Sequence, residues 1–165
     1  KGRKSEVGNQ ITESTAFVID GPGEYEVKDI NISGVGDPST GSGQANIIYN
    51  IEIDDVKITH LGLLKKEPDN EKLEQIGNPD IVFVPVGGLK GESLDAEEAM
   101  KLINKMEPKI AIPMLYDIKG LKVKRAPLSA FLKESEAKDA PVPKLTIKKK
   151  DLVEEETKIV ILEKI

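Results

Sequence analysis

The sequence contains no cysteine, and His60 is its only histidine among 165 residues. The absence of cysteine excludes disulfides, thiolate metal ligands and a cysteine nucleophile. A lone histidine cannot share a metal ion with a second imidazole, and at a strand end it is more often a hydrogen-bonded structural residue than a ligand or a base. The side chains that most often hold zinc are thus nearly absent from this chain.

Two further absences concern partners. The chain has no basic excess, because 29 acidic and 24 basic residues give a net charge of −5, and this argues against nucleic acid as a partner. The dense basic runs at residues 119–125 and 148–150 are interpreted as solvated faces. No apolar run approaches the roughly 20 residues that span a bilayer. Together with the absence of cysteine and the Lys/Glu-rich composition, these features favour a cytoplasmic protein that uses neither nucleic acid nor membrane.

The first part of the chain carries the alternating pattern of antiparallel strands. Residues 1–15 are polar and predict a flexible amino-terminal end, and the apolar residues 17–19 are expected to join a sheet. Two hairpins are predicted next, one within residues 24–35 and one within residues 46–61. Between them, residues 36–44 lack any periodicity and predict a loop.

From residue 65 onward the pattern predicts helices that alternate with strands. Residues 80–86 and 109–113 are apolar almost throughout, which predicts adjacent central strands that are buried on both faces. Asp69 or Asn70 and Ser93 or Asp95 are candidate helix N-caps. The result is a mixed sheet covered by helices. The other predicted elements are helices at 69–76 and 95–106 on one outer face, a short helix that Pro127 opens and that includes Leu128, Phe131 and Leu132, and closing strands at 144–148 and 158–162.

His60 ends a predicted strand, and Gly62 lets the backbone turn directly after it. In layered α/β proteins catalytic groups lie just past the carboxyl ends of strands, which invites an active-site interpretation. The next two residues, Leu63 and Leu64, can neither bind a metal nor move a proton. Other candidate motifs are weaker still. Glu24 and Glu26 share a solvated face, the turns at 21–23 and 87–88 lack the spacing of phosphate loops, and Ser39, Thr40 and Ser42 have no visible catalytic partner beyond His60.

Four stretches together resemble the metallo-β-lactamase superfamily. They read VIDGPGEYEV at 18–27, THLG at 59–62, DIVFVPVGG at 80–88, and EPK followed by IPM within 107–114. In particular, they resemble a branch of small predicted Zn-dependent hydrolases related to ascorbate-phosphate lactonases, and the likeness covers most of residues 17–116. It implies an α/β fold, an αβ/βα sandwich of mixed sheets, with a metal site at the rim between two sheets.

The same resemblance implies that the metal ligands have been replaced. The usual His-x-His-x-Asp-His loop would lie before residue 17 and is not in the chain, and Asp37 is the only ionisable residue where a later loop of the family supplies a histidine. Leu63 stands in place of the metal-bridging aspartate, and Leu115 in place of a histidine before Tyr116. The resemblance therefore implies a metal-free member whose vacated site comprises His60, Asp37, Leu63, Leu115 and Tyr116.

Two functions follow as hypotheses. The first is a non-catalytic binding or scaffold protein without a cofactor. The second is an enzyme, either a zinc hydrolase whose remaining ligands lie on a missing amino-terminal segment, or metal-independent chemistry around His60, Asp37 and Tyr116. No partner or substrate is named by the sequence.

Three structural expectations accompany these hypotheses. Residues 1–165 should form one domain that lacks the amino-terminal part of the family domain, and the sheet edge at residues 17–19 should then invite self-association into a homo-oligomer. Leu63 and Leu115 should lie near each other and near His60, and should be at least partly buried. His60 should hydrogen-bond a backbone or side-chain group.

Overall fold

The computed structural model describes residues 5–7, 10–12, 17–37, 46–89, 91–152 and 156–164. Within them, short strands come first and helices alternate with strands later, as the sequence pattern predicts. The strands are β1 (Ser5–Val7), β2 (Gln10–Thr12), β3 (Gly23–Val27), β4 (Ile30–Asp37), β5 (Asn46–Ile53), β6 (Val56–His60), β7 (Ile81–Pro85), β8 (Ile110–Met114) and β9 (Lys158–Ile159). The α-helices are α1 (Asn70–Ile76), α2 (Ala96–Met106) and α3 (Leu128–Ser135), and Lys149–Asp151 form one turn of 3₁₀ helix.

Strands β3 to β9 form one mixed sheet in chain order, while β1 and β2 pair with each other. The pairs from β3 to β6 are antiparallel, and those from β6 to β9 are parallel. Both predicted hairpins are confirmed. Their turns, Lys28-Asp29 and Asp54-Asp55, have positive φ at both residues, which matches the right-handed twist of paired strands.

The predicted central strands are also confirmed, because β7 lies between β6 and β8 and β8 lies between β7 and β9. Asp69 caps α1 by accepting from Lys72 N at 2.9 Å. Asp95 caps α2 in a reciprocal capping box with Glu98, so Ser93 does not act as the cap. No helix in the part of the chain that the structure describes is long and apolar enough to cross a membrane.

The two faces of this sheet have different covers. On the face that carries Val82 and Val84, which we call the helix face, the core includes Ile76 of α1, Leu102 of α2 and Phe131 of α3. The helices predicted at 69–76 and 95–106, which are α1 and α2, thus pack on one face, as predicted. On the opposite face, Ile81 and Phe83 pack against the covering segment, residues 142–152, which has no strand or α-helix.

Two predictions about the chain ends are wrong. The expected flexibility of residues 1–15 stays a prediction, although Ser5–Val7 and Gln10–Thr12 pair as strands within this end. Residues 17–20 form no strand, and Phe17 is 63% exposed. Residues 144–148 form no strand either. The alternation at 144–148 has another cause: Leu145 and Ile147 point toward the sheet and pack on it, but their backbone pairs with no strand.

The segment of residues 17–22 lies over the sheet rather than beside it. Tyr49 Oη donates to Ile19 O at 3.0 Å, and a Cβ on Gly34 would lie 3.0 Å from Gly21 O and 3.2 Å from Pro22 Cα. Because Gly34 has no side chain, residues 21 and 22 can pass close over this point of the sheet. The outer strand on this side is β3, whose Glu24 and Glu26 are exposed as predicted, and charged edge strands resist pairing with another chain. The remainder of the predicted 36–44 loop, beyond the end of β4, lies outside the described residues.

Candidate functional site

The carboxyl ends of the three parallel strands β6, β7 and β8 meet at one rim of the sheet. The loops that follow them are joined by backbone hydrogen bonds. Leu94 N donates to Leu64 O at 2.9 Å, Gly88 N to Leu94 O at 2.9 Å, and Ala126 N to Gly87 O at 3.0 Å. This rim is where ligands bind in open α/β sheets, and it carries most of the site residues that the resemblance names.

His60 is held at the end of β6. Its Nδ1 accepts a hydrogen bond from Gly62 N at 3.1 Å, which confirms that it bonds a backbone group. The ring lies against Phe83 with centroids 5.8 Å apart, on the face opposite the helices. Burial lowers the pKa of His60 below its ordinary value of 6.5. The imidazole is therefore neutral at pH 7, and one of its two nitrogens is already used inside the protein.

Asn46 is a rim residue that sequence reasoning missed. Its side chain is buried; Nδ2 donates to Leu61 O at 2.9 Å, and Oδ1 accepts from Leu63 N at 2.8 Å. Gly62 has φ +61°, and a Cβ there would collide with Asn46 Oδ1. Asn46 thus clamps the turn after His60. The only signal in the sequence was an amide at the first position of a strand, which is weak.

Asp37 does not join His60. It is 3% exposed and pairs with Lys72 Nζ of α1 at 3.4 Å, on the helix face. Asp37 is registered with Asn46, and His60 with Tyr49. Because positions 46 and 49 are an odd number of residues apart on β5, their side chains point to opposite faces. The structure therefore separates the carboxylate from the imidazole.

The two leucines, both expected to be at least partly buried, differ from each other. Leu63 is 48% exposed, which is more than the expected partial burial, and its backbone N–H is held by Asn46 Oδ1. Leu115 is half-buried and has φ +61°. A Cβ on Gly87 would collide with Leu115 O and lie 2.7 Å from Tyr116 Cα, so Gly87 allows the chain after β8 to approach the end of β7.

This donor set does not fit a zinc site. Zinc takes roughly three or four nitrogen, oxygen or sulfur ligands that converge on one point. At the rim, one imidazole nitrogen is internally bonded, the Asp37 carboxylate points to the other face, and positions 63 and 115 are leucine. Among all the residues that the structure describes, no group of three or more His, Cys, Asp or Glu side chains could hold a metal.

Two polar atoms near the rim are buried without a hydrogen-bond partner among the described residues, Ser93 Oγ and Arg125 Nη1. Ser93 is 1% exposed. Arg125 closes the basic run 119–125, which was interpreted as a solvated face. That interpretation holds for its exposed lysines and is wrong for Arg125, which is half-buried. The charge pattern alone gives no sign that one of these cations turns inward.

Comparison with known proteins identifies the family. A model of the Beta-lactamase superfamily domain matches residues 4–115. A solved structure from Thermotoga maritima, a candidate Zn-dependent hydrolase of the metallo-β-lactamase superfamily, is 30% identical with a TM-score of 0.75, over 96% of this chain and 78% of that one. The chain belongs to the metallo-β-lactamase superfamily. No curated protein matches it.

More distant metallo-β-lactamase-like structures share the fold. The metallo hydrolase Igni18 from Ignicoccus hospitalis is 16% identical with a TM-score of 0.57, over 86% of this chain and 56% of that one. The fold protein YhfI from Bacillus subtilis is 8% identical with a TM-score of 0.57, over 86% of this chain and 49% of that one. The chain thus spans about half the length of these two proteins, and the likeness extends to their architecture alone.

Proposed function

We propose that this chain is a metal-free, non-catalytic metallo-β-lactamase-fold protein that binds a partner or ligand at its rim. The observation that carries the proposal is that the groups that could ligate a metal are either bonded elsewhere in the protein or replaced by leucine. His60 Nδ1 is bonded to Gly62 N, and Asp37 is paired with Lys72 on the other face. Leu63 and Leu115 offer no lone pair. Without converging ligands there is no metal-bound hydroxide to carry out hydrolysis.

The rim loops support a binding role by the side chains they expose. Leu63 follows β6, Leu89 follows β7, and Leu121 and Val123 follow β8; they are 48%, 37%, 45% and 54% exposed. Loops on a rigid scaffold commonly carry the contacts of a binding protein. Exposed aliphatic side chains on three neighbouring loops offer apolar contacts to a partner or ligand.

Metal analysis of the full-length gene product, combined with a panel of ester, lactone and phosphodiester substrates, tests this proposal. We expect zinc and manganese far below one ion per chain and no turnover above that of a denatured control. A stoichiometric metal that supports turnover would overturn the proposal. The double variant Leu63→Asp with Leu115→His should also fail to take up zinc, because the other ligands are still missing.

The second candidate is a Zn-dependent hydrolase whose further ligands come from outside the described residues. The similarity to the Thermotoga protein over nearly the whole of this chain favours it. The same metal analysis separates the two candidates, because only the hydrolase requires bound metal. Cytoplasmic location and self-association are further proposals; with residues 17–20 outside the sheet, self-association loses the edge on which it was based, and sedimentation velocity tests it.

A further inference from the structure

We propose that Ser93 and Arg125 form a binding site for a small anionic group, a phosphate or a carboxylate, at the rim of the sheet. This site goes beyond the proposed function, because two hydrogen-bond donors capture an anion whether or not the protein also binds a metal. Four features support it: the placement of the two side chains, their lack of partners, their chemistry and the charge of the loop beside them.

Ser93 and the residue after Arg125 are each held against one of two consecutive glycines. A Cβ on Gly88 would collide with Ser93 O, so the Ser93 backbone lies directly on Gly88. Ala126 N, next to Arg125, donates to Gly87 O at 3.0 Å. Because consecutive Cα atoms are about 3.8 Å apart, Ser93 and Arg125 flank one short turn at the end of β7. They come from different loops that meet at this turn.

The two unpartnered atoms call for the same kind of partner. Ser93 Oγ and Arg125 Nη1 are buried and have no hydrogen-bond partner among the described residues. Buried polar groups are bonded in the great majority of cases, and leaving one unbonded costs free energy. Both groups can donate, and the guanidinium can only donate. An oxyanion accepts from donors of both kinds, and arginine forms its strongest hydrogen bonds with phosphate and carboxylate.

The loop that ends at Arg125 favours the approach of an anion. Residues 117–125 contain Lys119, Lys122, Lys124 and Arg125 against one acidic residue, Asp117. The three lysines are exposed and raise the local concentration of anions. On the facing loop, the carboxylate of Asp95 is already used as the cap of α2. Because the two donor atoms are shielded from solvent, binding of an anion requires the exposed residues 119–124 beside them to open locally.

Thermal shift and calorimetric titration with inorganic phosphate test the site. Titrations with phenyl phosphate and acetate, each against sodium chloride at equal ionic strength and with EDTA present, distinguish a free phosphate, a phosphate ester and a carboxylate. We expect at least one of these anions to raise the melting temperature beyond the chloride control. Arg125→Gln should weaken its binding about tenfold or more and Ser93→Ala by about threefold or more, as loss of hydrogen bonds to a charged group does.

Lys122→Gln is the matched control, because it removes one charge from the same loop without touching a buried donor; binding should change less than twofold. If Arg125→Gln does not fold, Arg125→Lys serves instead, since it keeps the charge and loses the planar fork, and it too should weaken binding. The proposal is overturned if no anion acts beyond chloride, or if Lys122→Gln weakens binding as much as the Arg125 variant. Because EDTA removes any bound metal, these outcomes do not depend on whether the protein binds zinc.

Discussion

The two faces of the sheet are covered in unequal ways. On the helix face, Val82, Val84, Leu102 and Phe131 are all 0% exposed, and three helices contribute to one continuous core. On the opposite face, Ile81, Ile110 and Ile112 are 5–8% exposed, while Phe83 and Ile58 are only half-buried. There a groove of about 840 Å³ remains between the sheet and the covering segment.

This difference reflects how each cover is built. A helix brings a side chain to the sheet every third or fourth residue and satisfies its own backbone. The covering segment has no strand or α-helix and contributes Leu145, Ile147 and Leu152 one at a time. The helix face should therefore supply most of the stability, and the opposite face should tolerate change.

The largest expected effect tests this inequality with one residue type on each face. Leu102→Ala on α2 should lower the free energy of unfolding by about 2–5 kcal/mol, because it leaves a cavity in a fully buried core. Leu145→Ala on the covering segment should cost about 1 kcal/mol, since the side chain is only half-buried. Urea unfolding of both variants gives the comparison, and equal losses would show that the covering segment packs as firmly as the helices.

The next prediction concerns the turn that closes the helix-face core at the rim. Leu61 and Leu64, on either side of this turn, are 0% and 1% exposed. Gly62→Ala should cost about 3 kcal/mol, because a Cβ strains a left-handed backbone and breaks the Asn46 clamp. Gly91→Ala is the control, since it also has positive φ but nothing within 4 Å of a Cβ, and it should cost about 1 kcal/mol. Chemical denaturation measures both, and a Gly62 variant no worse than the control would show that the clamp is dispensable.

On the opposite face, Asp80 ties the covering segment to the sheet. Its Oδ2 accepts from Lys149 Nζ at 2.7 Å and from Lys57 N at 2.9 Å. Burial alone would raise the pKa of Asp80, but these hydrogen bonds and the charges of both lysines outweigh it and hold the pKa below the ordinary 3.8. Because the folded protein releases this proton more readily than the unfolded chain, the pair stabilises the fold above about pH 4 and loses its effect as the pH falls below that.

Asp80→Asn should therefore cost about 1 kcal/mol at pH 7, a modest value because Lys149 is half-exposed, and less at pH 3. Urea unfolding at the two pH values measures the change. Glu97→Gln is a suitable control, since its pair with Lys101 lies in solvent and its loss should leave stability unchanged. A cost that is equal at both pH values would contradict the role given to the Asp80 carboxylate.

Most of the fold could be predicted because local patterns and tertiary packing agree. Asp69 and Asp95 mark helix starts, Gly77 marks a helix end, and the unbroken apolar run at β7 requires cover on both faces. Prediction failed for segments that pack on a face of the sheet instead of hydrogen-bonding to it as strands. Leu145 and Ile147 alternate with polar residues as in a strand, but their segment only covers the sheet. Residues 17–22 lie over the sheet, where Gly34 has no side chain to block Gly21 and Pro22. Sequence spacing gives no sign of either arrangement.

The candidate site was only partly predictable for a similar reason. The position of His60 at a strand end and its backbone hydrogen bond follow from the strand and the glycine after it. The exposure of Leu63 depends on Asn46, which lies 17 residues earlier in the chain. The burial of the Arg125 guanidinium depends on contacts between loops. Such long-range contacts decide the direction of single side chains and leave no local pattern.

The smallest effect on stability is expected at His60, which lies at the rim of the sheet, at the end of β6. Burial lowers the pKa of His60 below 6.5, and a proton on Nδ1 would also remove the acceptor for Gly62 N. The unfolded chain therefore takes up the proton more readily than the folded protein, so stability should fall as the pH drops below about 6.5. An NMR titration of this single histidine should give a pKa below 6.5, and His60→Gln should flatten the stability profile between about pH 5 and 7. A pKa at or above 6.5 would mean that His60 faces solvent or an anionic neighbour, and would contradict its assignment as a structural residue that holds the strand end.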